Sequence, residues 1–223
     1  DAMLAICSAL SADGHSEHCQ RAFIALLKED DGPDPEHLRE AILQTHLFAG
    51  YPRALNSLAA FKAACQKVSN PLSGEITLRS EPLEQDNLEK FRKRGRELFD
   101  EIYRESAAKV DSFANGVSPD LADWAIAVGY GRVLSRPILT RQQRSLCIVS
   151  SLIPLDVSPQ LKGHIRGAKN TGSSTDQLWK LFDLIVKLFK EGAETRSAKG
   201  TFEEVLGKRK LDMDFEEEQE YRW

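Results

Sequence analysis

Apolar side chains recur along this chain at intervals of three and four, the spacing of one buried helical face. Leu38, Ile42, Leu43 and Leu47 share such a face, and Leu55, Leu58, Ala59 and Phe61 continue it beyond Gly50-Tyr51-Pro52. That tripeptide holds a stop and a start, since Gly50 can close a helix in the left-handed region and Pro52 suits the first turn of the next. Leu88, Phe91, Leu98, Phe99 and Ile102 mark a long charged amphipathic helix within Leu83–Glu105. Leu121, Trp124, Ala125 and Val128 mark another, opened by Ser118 as N-cap with Pro119 at the first helical position. Thr140 caps a helix through Leu146, Ile148 and Val149. Ser158-Pro159 precedes one through Leu161, Ile165 and Ala168 that Gly172 closes, and Leu178, Leu181, Phe182, Ile185 and Leu188 finish the series. Alternating β patterns are nearly absent, so the expected class is all-α.

Two stretches fall outside the pattern. Residues 69–86 are rich in Ser, Pro, Gly and Glu, with one short β-like patch at Ile76-Thr77-Leu78, and read as a linker. Residues 191–223 are charge-dominated, with an acidic run from Asp212 to Glu220 before Tyr221-Arg222-Trp223. Such a run reads as a solvated arm, while the terminal aromatics favour docking.

Sliding the chain against itself by about 142 residues reveals a weak internal repeat. Ser8-Ala9-Leu10 falls on Ser150-Ser151-Leu152, Ala22–Leu26 on His164–Ala168, and, with two extra residues in the first copy, Gly32 on Gly172 and Leu38 on Leu178. The expected organisation is a truncated, degenerate first copy over 1–68, a linker over 69–86, a second copy over 87–190 and a charged tail over 191–223.

The stretch Gly129-Tyr130-Gly131-Arg132-Val133-Leu134-Ser135-Arg136-Pro137-Ile138-Leu139-Thr140, followed by His164-Ile165-Arg166-Gly167-Ala168-Lys169-Asn170, resembles the carboxymuconolactone decarboxylase family. Glu40-Ala41-Ile42-Leu43 with Ala49-Gly50-Tyr51-Pro52-Arg53-Ala54-Leu55-Asn56 resembles that family's other half-motif. The resemblance implies the duplicated helical bundle of the alkyl hydroperoxidase D-like superfamily, whose small subunits trimerise or hexamerise. It also implies one of two chemistries: cofactor-free decarboxylation of a muconolactone, or peroxidase-linked chemistry on a C-x-x-C pair.

Composition narrows these. The chain has 223 residues, 41% hydrophobic and 29% charged, enough to build a packed core. A net charge of −4 argues against nucleic acid or an anionic membrane as principal partner. No segment approaches the roughly 20 apolar residues of a membrane helix. Cys7, Cys19, Cys65 and Cys147 show no paired spacing, as expected of reduced thiols in an intracellular compartment. No signal peptide is visible. The cytoplasm is the default location, with mitochondrial or other organelle matrix open because a trimmed presequence would leave no trace.

The peroxidase reading fails on its own residues. With His164 in the family's histidine position, Ser145 stands where the glutamate belongs, and Val157 and Gln160 where the two cysteines belong. His15, His18 and His37 with Cys19 read as surface residues rather than a metal centre, because no third ligand is fixed by spacing. Decarboxylation needs cations for the substrate carboxylates and a proton donor for the developing carbanion. The resemblance assigns these roles to His164, Arg136 and Arg166 as catalytic residues and Arg132 as substrate binder, with no cofactor and no metal. Erosion of the first copy, where Ala22 stands opposite His164, equally suits a catalytically inactive subunit of a homo-oligomer or larger assembly.

Overall fold

The computed structural model describes residues 1–70, 74, 80–189 and 192–209. Eleven α-helices are found among them: α1 Ala2–Asp13, α2 Ser16–Lys28, α3 Pro35–Gln44, α4 His46–Lys67, α5 Gln85–Tyr103, α6 Ala107–Val117, α7 Pro119–Trp124, α8 Arg141–Leu152, α9 Ser158–Asn170, α10 Thr175–Phe189 and α11 Ala193–Leu206. A π-helical segment, Ala125–Leu134, runs directly on from α7. No strand occurs among the described residues, so the fold is all-α. Ile76-Thr77-Leu78, the Asp212–Glu220 run and Tyr221-Arg222-Trp223 lie outside the described residues.

The local signals act where the chain carries them. The Ser118 hydroxyl accepts from the Leu121 N–H at 3.3 Å with Pro119 behind it. Thr140 and Gln143 form a reciprocal capping box, with bonds of 3.2 and 3.0 Å that satisfy two otherwise orphaned donors. At Gly50 the chain kinks with φ 82° and ψ 164°, so α4 is two helical pieces joined at a residue that only glycine tolerates well. That ψ is extended rather than left-handed helical, which turns the chain instead of closing it.

Helix α1 is the centre of the molecule. Leu4, Cys7 and Leu10 pack into one apolar cluster with α2, α3 and α4, while Ala5 and Ala9 pack into a second, larger one built by α5, the π-helix and α8–α11. Helices α1 and α8 lie against each other, and the Ser151 hydroxyl donates to the Ser8 carbonyl at 3.2 Å. The following helices, α2 and α9, are each 13 residues long.

Three elements depart from expectation. Helix α11 occupies part of the stretch read as a charged arm: Phe202 is fully buried and stacks near Trp179 and Phe182. Its apolar positions are few and its charges many, which hid the face that packs on α9 and α10. Helix α6 has no buried residue at all. The π-helix replaces the expected α-helical continuation of α7, and its wider turn lies flat against α5. A Cβ on Gly95 would sit 1.9 Å from the Ile126 carbonyl oxygen, and one on Gly131 would sit 1.9 Å from that of Phe91. The two elements therefore cross backbone to backbone.

Candidate functional site

The first turns of α4 and the π-helix face each other across a cleft. One end is a cavity of about 290 Å³ with apolar walls that include Leu43, Ala54, Leu58 and Val133, and with Arg132 and Arg136 at its polar side. A second cavity of about 400 Å³ opens beside it, walled by Phe48, Trp124, Tyr130 and Leu134. His46, Tyr51 and Val128 line both.

Arg136 is anchored by a buried carboxylate from the other half of the chain. Its Nε and Nη2 donate to the two oxygens of Glu40 at 2.6 and 3.0 Å. Arg144 Nη2 donates to Glu40 Oε1 at 2.8 Å, and Arg144 Nη1 to Gln44 Oε1 at 2.9 Å. The Arg136 carbonyl accepts from Arg144 Nη2 at 2.8 Å, and a further Arg136 N–H donates to the Ser80 hydroxyl. Burial alone would raise the Glu40 carboxyl, but hydrogen bonds and charge from the two arginines outweigh it and hold the pKa below its usual value. Burial pulls Arg144 down from the usual arginine value.

Two guanidinium groups on one carboxylate leave a positive charge over. Arg132 adds another: its Nη2 reaches only the Glu81 carbonyl, at 3.4 Å, and its buried Nε has no hydrogen-bond partner among the described residues. The Glu81 carboxylate itself is taken by Arg94 at 3.0 Å. Among the described residues the polar side of the smaller cavity thus carries more cations than carboxylates.

The structure brings Arg132 and Arg136 together and leaves His164 and Arg166 apart from them. Arg166 is exposed on α9, with no ion-pair partner among the described residues. The His164 ring meets Phe48 edge-on at 5.5 Å and lies 6.4 Å from Tyr103. Tyr103 accepts a 2.9 Å hydrogen bond from Tyr130, and burial raises both phenols. Burial also lowers the His164 imidazole to about 4, so the ring is neutral at pH 7 and holds no spare proton to deliver.

The histidine that does line the cleft is His46. Its Nδ1 lies 2.6 Å from the Leu43 carbonyl, and because a carbonyl only accepts, Nδ1 is the donor, which leaves Nε2 to face the cleft chemistry. The ring lies 5.1 Å from that of Tyr51. A single histidine at a helix start has no spacing signature and therefore no prominence in the sequence. Arg144 carries no signal of its own in the sequence, because its partnership with Glu40 spans 104 residues.

The four cysteines are all buried and unpaired by disulfides. Burial pushes the Cys147 thiol up to about 11 and raises Cys7, Cys19 and Cys65 as well, which disfavours thiolates. His15 and His18 stack at 5.6 Å on the surface, and His15 lies 2.5 Å from Asp13. No group of three His, Cys, Asp or Glu side chains suited to a metal ion occurs among the described residues. No described helix is long and apolar enough to cross a membrane.

Fold and cleft together define an all-α protein with an apolar, cation-edged cavity between its N-terminal helices and a π-helix. Over 155 residues the chain is 32% identical to peroxisomal protein 2 of Schizosaccharomyces pombe, covering 69% of each chain. Over 152 residues it is 32% identical to peroxisomal protein 2 of Saccharomyces cerevisiae, covering 60% of this chain and 54% of that one. The chain belongs to the peroxisomal protein 2 family. No family model matches it.

Proposed function

We propose that this chain is a duplicated alkyl hydroperoxidase D-like protein that acts in the peroxisome on a small carboxylic acid held in the α4–π-helix cleft, by cofactor-free decarboxylation. The observation that carries the reading is the convergence of Arg132 and Arg136 on an apolar cavity whose cations outnumber their counterions among the described residues. Arg132 takes the substrate carboxylate, and Arg136, held rigid by Glu40, fixes the field into which it enters. Loss of CO₂ leaves an electron pair on the substrate carbon. His46, on the same wall, passes a proton from solvent to that carbon in the role the family resemblance gives to His164. The duplication is supported by the matching lengths and order of α2 and α9, and the location by the names of the two relatives.

The test compares benzoate-sized apolar acids with their uncharged amides by calorimetry. Acids should bind and amides should not, and Arg132→Ala should weaken acid binding about tenfold or more, as removal of a charged hydrogen-bond donor does. Equal binding of acid and amide, or an unchanged affinity in Arg132→Ala, would overturn the reading. Release of CO₂ from lactone acids then reads the chemistry.

A second reading, an assembly subunit, is favoured by one surface. Phe113 and Val117 on α6, Leu121 and Trp124 on α7, and Tyr51 and Leu55 on α4 are each between 61% and 72% exposed. Tyr51, Leu55, Leu121 and Trp124 line the cavities of the cleft, and exposed apolar side chains of this kind suit contact with a second copy of the chain. The native mass should then be a multiple of 25.0 kDa and fall to one chain in Phe113→Glu/Trp124→Glu. A monomeric wild-type protein would remove this reading.

A further inference from the structure

A cavity of about 490 Å³ that has no place in the functions above lies between α10 and α11. Its floor is apolar, made by Trp179, Phe182 and Val186. Among the described residues its rim is basic, with Lys187, Arg196, Lys199, Lys208 and Arg209 against Asp183 and Glu203. One of those two carboxylates is already taken, since Arg209 Nη2 lies 2.6 Å from Asp183 Oδ2. The Arg209 guanidinium also lies 5.0 Å from the centre of the Trp179 ring. Arg196 and Lys199 are exposed and have no ion-pair partner among the described residues. A chain with net charge −4 therefore concentrates positive charge around one aromatic floor.

What would cover such a groove is written in the same sequence. The residues that follow Arg209, 210–223, carry six carboxylates against two basic side chains, interleaved with Leu211, Met213, Phe215, Tyr221 and Trp223. Fourteen residues can reach about 45 Å when extended, more than the roughly 20 Å length of α11. Charge, apolar content and point of attachment all match the groove. We propose that the groove between α10 and α11 binds the acidic, aromatic segment 210–223 of its own chain. Carboxylates meet the Arg196 and Lys199 side of the rim, and an aromatic ring meets the Trp179–Phe182 floor.

The experiment is cleavage of the 223-residue chain by glutamyl endopeptidase, followed by mass spectrometry at Glu216–Glu220, with synthetic peptide 210–223 as reference. Cleavage in the protein should be at least about tenfold slower than in the free peptide, because the protease acts on the released segment. Arg196→Glu/Lys199→Glu, on exposed positions, should bring the rate close to that of the peptide while the circular dichroism stays unchanged. Phe215→Ala/Trp223→Ala should do the same without touching the groove. Cleavage of the wild-type protein as fast as the peptide would overturn the proposal, as would protection that survives the charge reversal. Protection that grows with protein concentration would assign the groove to the segment of a second copy and overturn the intramolecular assignment.

Discussion

Gly131→Ala should cost the fold about 3 kcal/mol or more, read as a lowered urea midpoint. The new methyl carbon would start 1.9 Å from the Phe91 carbonyl oxygen, whereas ordinary contact begins near 3.4 Å. The obstacle is backbone on α5, which has no rotamer to swing away, so the π-helix and α5 must separate by roughly 1.5 Å. Phe91, Phe99, Ile126 and Tyr130 pack around this crossing and would lose contact together. Gly95→Ala should behave alike, since its Cβ would meet the Ile126 carbonyl at 1.9 Å. Gly129→Ala is the control. Nothing lies within 4 Å of a Cβ there, and a change below about 1 kcal/mol is expected. Equal stability of Gly131→Ala and Gly129→Ala would show that the crossing is looser than described.

Glu40→Gln should be as damaging for an electrostatic reason. Glu40 is fully buried and holds two guanidinium groups, Arg136 and Arg144, whose side chains are 11% and 4% exposed. Glutamine keeps the shape and removes the charge, leaving two buried cations facing each other without a counterion. Breaking a buried pair in this way costs about 3–5 kcal/mol, a large part of a typical domain's stability. The sign with pH follows from the lowered pKa of Glu40. The unfolded chain binds this proton more readily than the folded one. The contribution is therefore complete above the ordinary carboxylate value of 4.5 and is lost as the pH falls through the lower folded value. Urea midpoints of the wild-type protein should drop over that acidic window, and those of Glu40→Gln should change less. Parallel curves for the two proteins would refute the role given to the triad.

What the sequence disclosed and withheld divides along the distance over which each signal acts. The Ser118 and Thr140 caps and the Gly50 turn involve neighbours within three residues, and each was readable from the chain alone. The crossing of Gly95 and Gly131 depends on where two helices meet, and Gly95 stood unremarked inside a charged amphipathic helix. Glu40 and Arg136 were both in view as parts of separate motifs, yet their union spans 96 residues and needed the fold. Arg136 accordingly reads differently from the free catalytic cation that the motif suggested: its charge is shared with Glu40 before any substrate arrives. The prominence of His164 came from its motif, and burial among Phe48 and Tyr103 is what sets it apart from His46. Helix α11 has a weak sequence signal because its narrow apolar face, Ala198 and Phe202, lies among many charges.

The position of α1 sets an order of events during synthesis. Ser8 and its partner Ser151 are separated by 143 residues, so α8 leaves the ribosome long after α1. At ordinary elongation rates the interval is roughly 7–30 s. Throughout it the Ala5 and Ala9 side of α1 has no native surface to cover it, even if Leu4, Cys7 and Leu10 have already met α2–α4. The nascent first half thus carries an uncovered face of α1 until the eighth helix has been translated.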